Sequence, residues 1–263
     1  MVYVTNGQIN HGHRPQTTDE YVREPTRFAH NEILDVGIDS DLHLYVCAAC
    51  PWAHRALLVR NLSDTLKRKV EVSVVSPFRD DDVGWEFKDL DRFEGYLKPT
   101  VDKSKLKAKR LVDVYLESSP GYTGNITTPV LYDAKENRIL SNDSFGIMRL
   151  FSQAVEEDTG VLYKEKEVID EEAKTIDEEL GKRVYMVGMA KTQEAYESSL
   201  NRVFKELDRL EGKLTDGRKY LLGSECTLVD IQVIAVLVRF DPVYFTLFKC
   251  FTRRLKSYPL LSA

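Results

Sequence analysis

Leu42-His43-Leu44-Tyr45-Val46-Cys47-Ala48-Ala49-Cys50-Pro51-Trp52-Ala53-His54-Arg55 is the stretch on which the fold turns. Leu42 to Val46 alternates as a strand should, and Pro51 opens a run with Ala56, Leu57, Val59, Leu62 and Leu66 at helical spacing. Working outward, Val70, Val72 and Val74 alternate within a second short strand over 69–75, which makes a βαβ unit with a parallel pair. Pro129 leads into Val130-Leu131-Tyr132, residues 133–137 read as a turn, and Arg138-Ile139-Leu140 returns as the second strand of a hairpin. A helix from Ser144 to about Phe151 closes the unit. The order β-α-β, then β-β-α, predicts an α/β domain.

From Val161 the pattern is helical only. Leu162, Ile169, Ala173, Ile176 and Leu180 recur at three- to four-residue steps, as do Tyr196, Leu200, Val203, Phe204, Leu207, Leu210 and Leu214. Thr227 reads as an N-cap with its acidic partner Asp230 three residues on, and the run to Val238 is apolar on nearly every face, as suits the centre of a bundle. A further helix is predicted from Tyr244 to Leu255. The domain division that follows is residues 1–40 as an extended N-terminal arm, 41–155 as the α/β domain, and 156–263 as a helical domain. The charged and irregular residues from about 77 to 124 read as an insertion with one helix over 103–116.

The chain has 263 residues, enough for two domains of ordinary size and a substantial core without staples. Its 37 Lys and Arg against 42 acidic residues leave a net charge of -5, which gives no attraction for phosphate backbones, so nucleic acid is not an expected partner. No apolar run approaches the roughly 18 residues of a membrane span, so no membrane partner is expected either. The start of the chain, with His11, His13 and Arg14, lacks the pattern of a secretory signal, and the 4 cysteines are too few for a disulfide scaffold. A cytoplasmic setting with reduced thiols is the expectation.

Cys50 stands where a strand gives way to a helix. A sulfur there meets unpaired N–H groups and the positive end of the helix dipole, which favour the thiolate and mark Cys50 as the nucleophile. Cys47 and Cys50 have dithiol spacing, whereas Cys50-Pro51-Trp52-Ala53 has the form of a glutaredoxin-type turn lacking its second cysteine. Proline directly after the nucleophile favours the latter, because its missing N–H costs nothing in the first helical turn. With Ala53 where a resolving thiol would sit, a mixed disulfide on Cys50 must wait for an external thiol such as glutathione. Cys47 then serves as a small apolar filler. No second Cys/His pair stands at ligand spacing, so no metal is expected.

Cys50-Pro51-Trp52-Ala53-His54-Arg55, Gly84-Trp85-Glu86-Phe87, Thr128-Pro129-Val130-Leu131 and Arg239-Phe240-Asp241-Pro242-Val243-Tyr244 together resemble the glutathionyl-hydroquinone reductases, or Xi-class glutathione transferases. The resemblance runs from about Phe28 to Tyr258. It implies a thioredoxin-like N-terminal domain followed by an all-helical glutathione-transferase C-terminal domain, with glutathione as co-substrate. It further implies that Thr128 precedes a cis proline, Pro129, and pairs its backbone with the cysteinyl part of glutathione. Asp143 and Ser144 would hold the γ-glutamyl end, its carboxylate lying on Ser144 and the N–H groups of the helix that begins there. Trp85 would line the same site. Tyr185 and Tyr244 match tyrosines around the family's quinol pocket.

The expected activity is reduction of glutathionylated small aromatic compounds through a Cys50–glutathione mixed disulfide. An Omega-type thioltransferase or dehydroascorbate reductase would use the same thiol, and a protein that binds glutathione without turnover is the reading from another class. Asn125, Thr128 and Asp143 stand where the family usually has arginine, valine and glutamate, and Cys47 where serine is common. The family continues through further helices past Tyr258, so the resemblance implies a shortened helical domain and a weakened homodimer.

Overall fold

The structure is a computed structural model that describes residues 2–10, 26–28, 41–80, 82, 84–90, 93, 98–158 and 162–263. These fall into two compact units, one of residues before 159 and one of residues from 162 on. His11, His13, Arg14 and most of residues 11–40 lie outside the described residues.

In the first unit, Leu42–Cys47 (β3) pairs in parallel with Val70–Val75 (β4) and antiparallel with Val130–Asp133 (β6), which pairs in turn with Arg138–Ser141 (β7). The strand order is β4-β3-β6-β7. Every residue of β3 is buried, because both faces of the sheet are covered. Tyr45 and Cys47 join a cluster with Val75, Phe87, Leu111, Tyr115 and Val130, and alternation sends Leu42, Leu44 and Val46 to the other face. The β6–β7 turn forms as expected, since Asp133 Oδ1 accepts the N–H groups of Lys135 (2.9 Å) and Glu136 (3.1 Å). This is the thioredoxin-like arrangement.

Pro51–Leu62 (α1) follows β3, but the helix stops short of Leu66. Ser63 is extended (φ -114°, ψ 128°) and caps a second short helix, Asp64–Lys69 (α2), by accepting from Leu66 N. A capping serine thus interrupts a stretch whose apolar spacing alone reads as continuous. Between the strands, Leu111–Ser118 (α3) replaces the helix expected over 103–116. The Asp102 carboxylate holds Ser104 N (2.9 Å) and Ala108 N (2.7 Å), and Lys107 is left-handed (φ 52°), so the chain is folded into turns until Arg110 caps the helix. Ser144–Asp158 (α4) is longer than anticipated.

The opening residues are not an extended arm. Tyr3–Thr5 (β1) and Gln8–Asn10 (β2) form a hairpin, and β1 pairs with Gly124–Asn125 (β5). Asn6 (φ 47°) and Gly7 (φ 79°) are both left-handed, the two-residue turn that an Asn-Gly pair favours. That dipeptide was the available signal. A side chain at Gly7 would place Cβ 2.0 Å from the Pro120 carbonyl oxygen, so the hairpin tip fits only glycine. Val2 and Val4 are buried in the same cluster as Tyr45.

A buried polar network joins the sheet to the 102–108 turns. His43 Nε2 and Ser73 Oγ lie 2.8 Å apart, Ser73 Oγ accepts Lys103 N (2.8 Å), Tyr45 OH donates to Ser104 Oγ (2.9 Å), and Ser104 Oγ donates to Asp102 (2.9 Å). Burial lowers the His43 pKa from 6.5 to about 4, outweighing the opposing pull of Asp102; Lys103 lowers it further. The ring is therefore neutral at pH 7, and its 4.0 Å approach to Asp102 is not an ion pair. Below pH 6.5 the unfolded chain binds a proton that the folded chain refuses until about pH 4. Stability present above the unfolded value is thus lost as the pH falls through that window, by roughly 3 kcal/mol at the limit. We expect His43→Gln to flatten the fall in urea midpoint between about pH 7 and about pH 4.5 relative to the natural chain. An unchanged slope would mean that His43 does not carry it.

The second unit is helical. Lys166–Ile176 (α5) runs into a π-helical turn at Asp177–Gly181, followed by Arg183–Gly188 (α6), Gln193–Lys213 (α7) and Leu228–Leu237 (α8). Thr227 and Asp230 form the capping box read from the sequence, and α8 is buried on nearly every side, with Gln232 Nε2 donating to Ala173 O of α5 (2.9 Å). The helix expected from Tyr244 to Leu255 does not form. A π-helical turn at Phe240–Tyr244 gives way to turns, Lys249 is left-handed (φ 59°), and only Leu255–Ser257 is helical, as a 3-10 turn. Asp241 Oδ1 accepts Leu255 N (2.9 Å) and folds the segment back on itself. Among the described residues, no helix is long and apolar enough to cross a membrane.

Candidate active site

Cys50 is the N-cap of α1, with Pro51 as the first helical residue. Its Sγ accepts the N–H of Ala53 at 3.4 Å and donates to the Thr128 carbonyl at 3.4 Å. The Thr128–Pro129 peptide is cis, as anticipated. Strand β3 delivers the chain to this point, and a turn in which Cys50 N donates to Cys47 O (3.0 Å) aims it into the helix. Cys50 is half-buried, and both it and Trp85 pack against the cluster that contains Tyr45, Tyr115 and Val130.

The segment before Pro129 is braced from beneath. Tyr115 OH donates to Thr127 O (2.9 Å) and accepts from Thr127 N (3.3 Å) and Asn142 Nδ2 (3.1 Å). Asn142 also exchanges hydrogen bonds with the Phe28 backbone. Tyr115, Thr127 and Asn142 were not singled out from the sequence, where nothing distinguishes them from core polar residues.

At the start of α4, Asp143 caps the helix, its carboxylate accepting Phe145 N (3.3 Å) and Gly146 N (3.0 Å). Asp143 thus holds two of the N–H groups at the start of α4 itself. Ser144 Oγ accepts from Arg55 Nε (3.0 Å) and Nη2 (2.7 Å), which leaves its own O–H to donate. Arg55 is only 6% exposed and ties α1 to α4. Its role had a sequence signal: it is an arginine next to Ala56, on a face that also buries Pro51.

Residues 193–263 match the family model described as the glutathione S-transferase C-terminal domain. Glutathionyl-hydroquinone reductase PcpF of Sphingobium chlorophenolicum is 40% identical over 238 residues, 87% of this chain and 72% of that protein. The chain belongs to the glutathionyl-hydroquinone reductases, the Xi-class glutathione transferases. Another reductase, YqjG of Escherichia coli K12, is 39% identical over 221 residues, covering 82% of this chain but only 65% of its own length. YqjG's glutathione-bound structure superposes with a TM-score of 0.77 at 39% identity, over 85% of this chain and 71% of that one. The Xi transferase of Phanerochaete chrysosporium gives 0.82 at 37% identity, over 92% and 83%.

In this glutathionyl-hydroquinone reductase fold, Tyr185 of α6 and Tyr244 meet edge to face with ring centroids 6.0 Å apart, and Phe248 contacts both. Tyr244 is buried and Tyr185 partly exposed, so Tyr185 is the one with surface to offer. Gly188 makes room for the group, because a Cβ there would lie 2.3 Å from the Phe248 ring. Burial pushes the thiols of Cys226 and Cys250, both in this unit, up to about 11 and about 12. Each is therefore protonated and unreactive at neutral pH. Among the described residues no three His, Cys, Asp or Glu side chains form a metal-holding group.

Proposed function

We propose that the protein is a glutathione-dependent thiol transferase that reduces glutathionyl-hydroquinones through Cys50. The observation that carries this reading is the sulfur of Cys50 at the α1 N-terminus, bonded to Ala53 N–H and facing the carbonyl before cis Pro129. The sulfur sits half-buried at the helix start, where it can attack a substrate sulfur and later serve as a leaving group.

Cys50 thiolate attacks the sulfur of the glutathionyl-hydroquinone, the carbon–sulfur bond breaks, and the ring carbon takes a proton to give the free hydroquinone. A second glutathione thiolate then attacks the glutathione sulfur of the mixed disulfide, releasing oxidised glutathione and Cys50. The glutathione site consists of Trp85, Thr128, Pro129, Asp143 and Ser144. Thr128 offers its backbone to the cysteinyl part, Asp143 faces the γ-glutamyl ammonium, and the Ser144 hydroxyl donates to its carboxylate beside the Arg55 charge. For the aromatic half, Tyr185 offers its partly exposed phenol to donate to or accept from a substrate hydroxyl, while buried Tyr244 holds the Tyr185 ring edge to face. A cycle that consumes glutathione suits the cytoplasm, where thiols stay reduced.

The test is an assay of the purified chain with glutathionyl-menadione and glutathione. Release of the hydroquinone together with oxidised glutathione is expected; retention on immobilised glutathione with no turnover would reduce the protein to a binder.

A further inference from the structure

We propose that Cys47 is a resolving thiol, which attacks the Cys50–glutathione mixed disulfide to form a Cys47–Cys50 disulfide within the turn joining β3 to α1. The inference rests on the proposed role of Cys50 and replaces its one-thiol cycle with a two-thiol one.

The Cys50 N–H to Cys47 carbonyl bond (3.0 Å) closes a four-residue turn between the two cysteines. Such a turn keeps its end Cα atoms within about 7 Å, and a disulfide spans about 4.4–6.8 Å between Cα atoms. Cys47 is a member of the cluster containing Tyr45, Phe87 and Val130, and Cys50 packs against that same cluster, so the two side chains leave the turn on one side. Neither is in a disulfide in this structure. Ala53, one turn into α1, carries no thiol, so a resolving group within this turn comes from the strand side. Cys226 and Cys250 belong to the other unit, far along the chain from this turn.

The step balances as thiol–disulfide exchange. Cys47 Sγ gives up its proton and bonds to Cys50 Sγ; the bond from Cys50 to glutathione breaks, and glutathione leaves as a thiolate that takes a proton. Two further glutathione molecules reopen the internal disulfide, restoring both thiols and forming oxidised glutathione. An intramolecular thiol one turn away competes with millimolar external thiol because its effective concentration is far higher.

The experiment treats the full chain with excess oxidised glutathione, quenches with acid, and reads intact mass and the tryptic peptide of residues 28–55, which holds both cysteines. The natural chain is expected to lose both thiol hydrogens and carry the disulfide in that peptide. Cys47→Ser, with Cys47→Ala as a second variant, is expected to hold the glutathionyl adduct on Cys50 at an occupancy at least about tenfold higher. A natural chain that keeps the adduct as fully as the variants overturns the inference and leaves the Cys50 reading intact. Neither adduct nor disulfide in any of the three overturns both.

Discussion

Serine in place of Cys50 is expected to lower turnover of glutathionyl-menadione by at least about 10³-fold, because an alcohol forms no disulfide and the two-step exchange has no other route. The substitution separates chemistry from structure. Cys50 is the N-cap of α1 and accepts Ala53 N–H through its side chain, and serine is among the preferred residues for that task. Helix α1 should therefore form as before, and the thermal midpoint should stay within a few degrees of the natural chain's. Steady-state rates and a melting curve on the same preparation decide the matter. Substantial residual turnover would remove Cys50 from the mechanism; a large drop in midpoint would instead show that the thiol supports the fold.

Asp230→Ala is expected to cost about 2–4 kcal/mol of stability, the sum of a lost helix cap and a buried donor left without its acceptor. Asp230 is 7% exposed. One carboxylate oxygen accepts Leu221 N (2.9 Å), and the other accepts both Thr227 N and Thr227 Oγ1 (2.8 Å each). A single side chain thus fixes the start of α8 and the preceding loop. Asp230→Asn keeps one acceptor but turns the other atom into a donor, so its loss should fall between those of the natural chain and the alanine variant. Urea unfolding followed by helical circular dichroism measures both. An alanine variant as stable as a typical surface substitution would show that water replaces the carboxylate.

The parts of this fold visible in the sequence are those set by local rules. The β3-turn-α1 motif, the Asp133 turn and the Thr227–Asp230 capping box each depend on residues a few positions apart, and each forms as read. What escaped depends on partners distant in the chain. Residues 3–10 read as an arm because β1 finds its neighbour β5 only at residues 124–125, although the Asn-Gly turn was there to be noticed. The segment after Tyr244 has helical spacing, yet Asp241 takes Leu255 N and the π-helical turn shifts the register. In the site, the cysteine and the helix start at Ser144 were readable as motifs, and the cis proline followed from the family resemblance. The Arg55–Ser144 contact spans 89 residues and the Tyr115–Asn142 contact 27, distances over which periodicity carries no information.

The N-terminal hairpin bears on how the protein is handled at the bench. Anyone taking residue 41 as the natural place to begin would strip the edge pairing from Gly124–Asn125 and uncover the apolar surface that Val2 and Val4 now seal. An open strand edge beside fresh oily surface invites clumping, so a shortened chain would be harder to keep in solution than its size suggests.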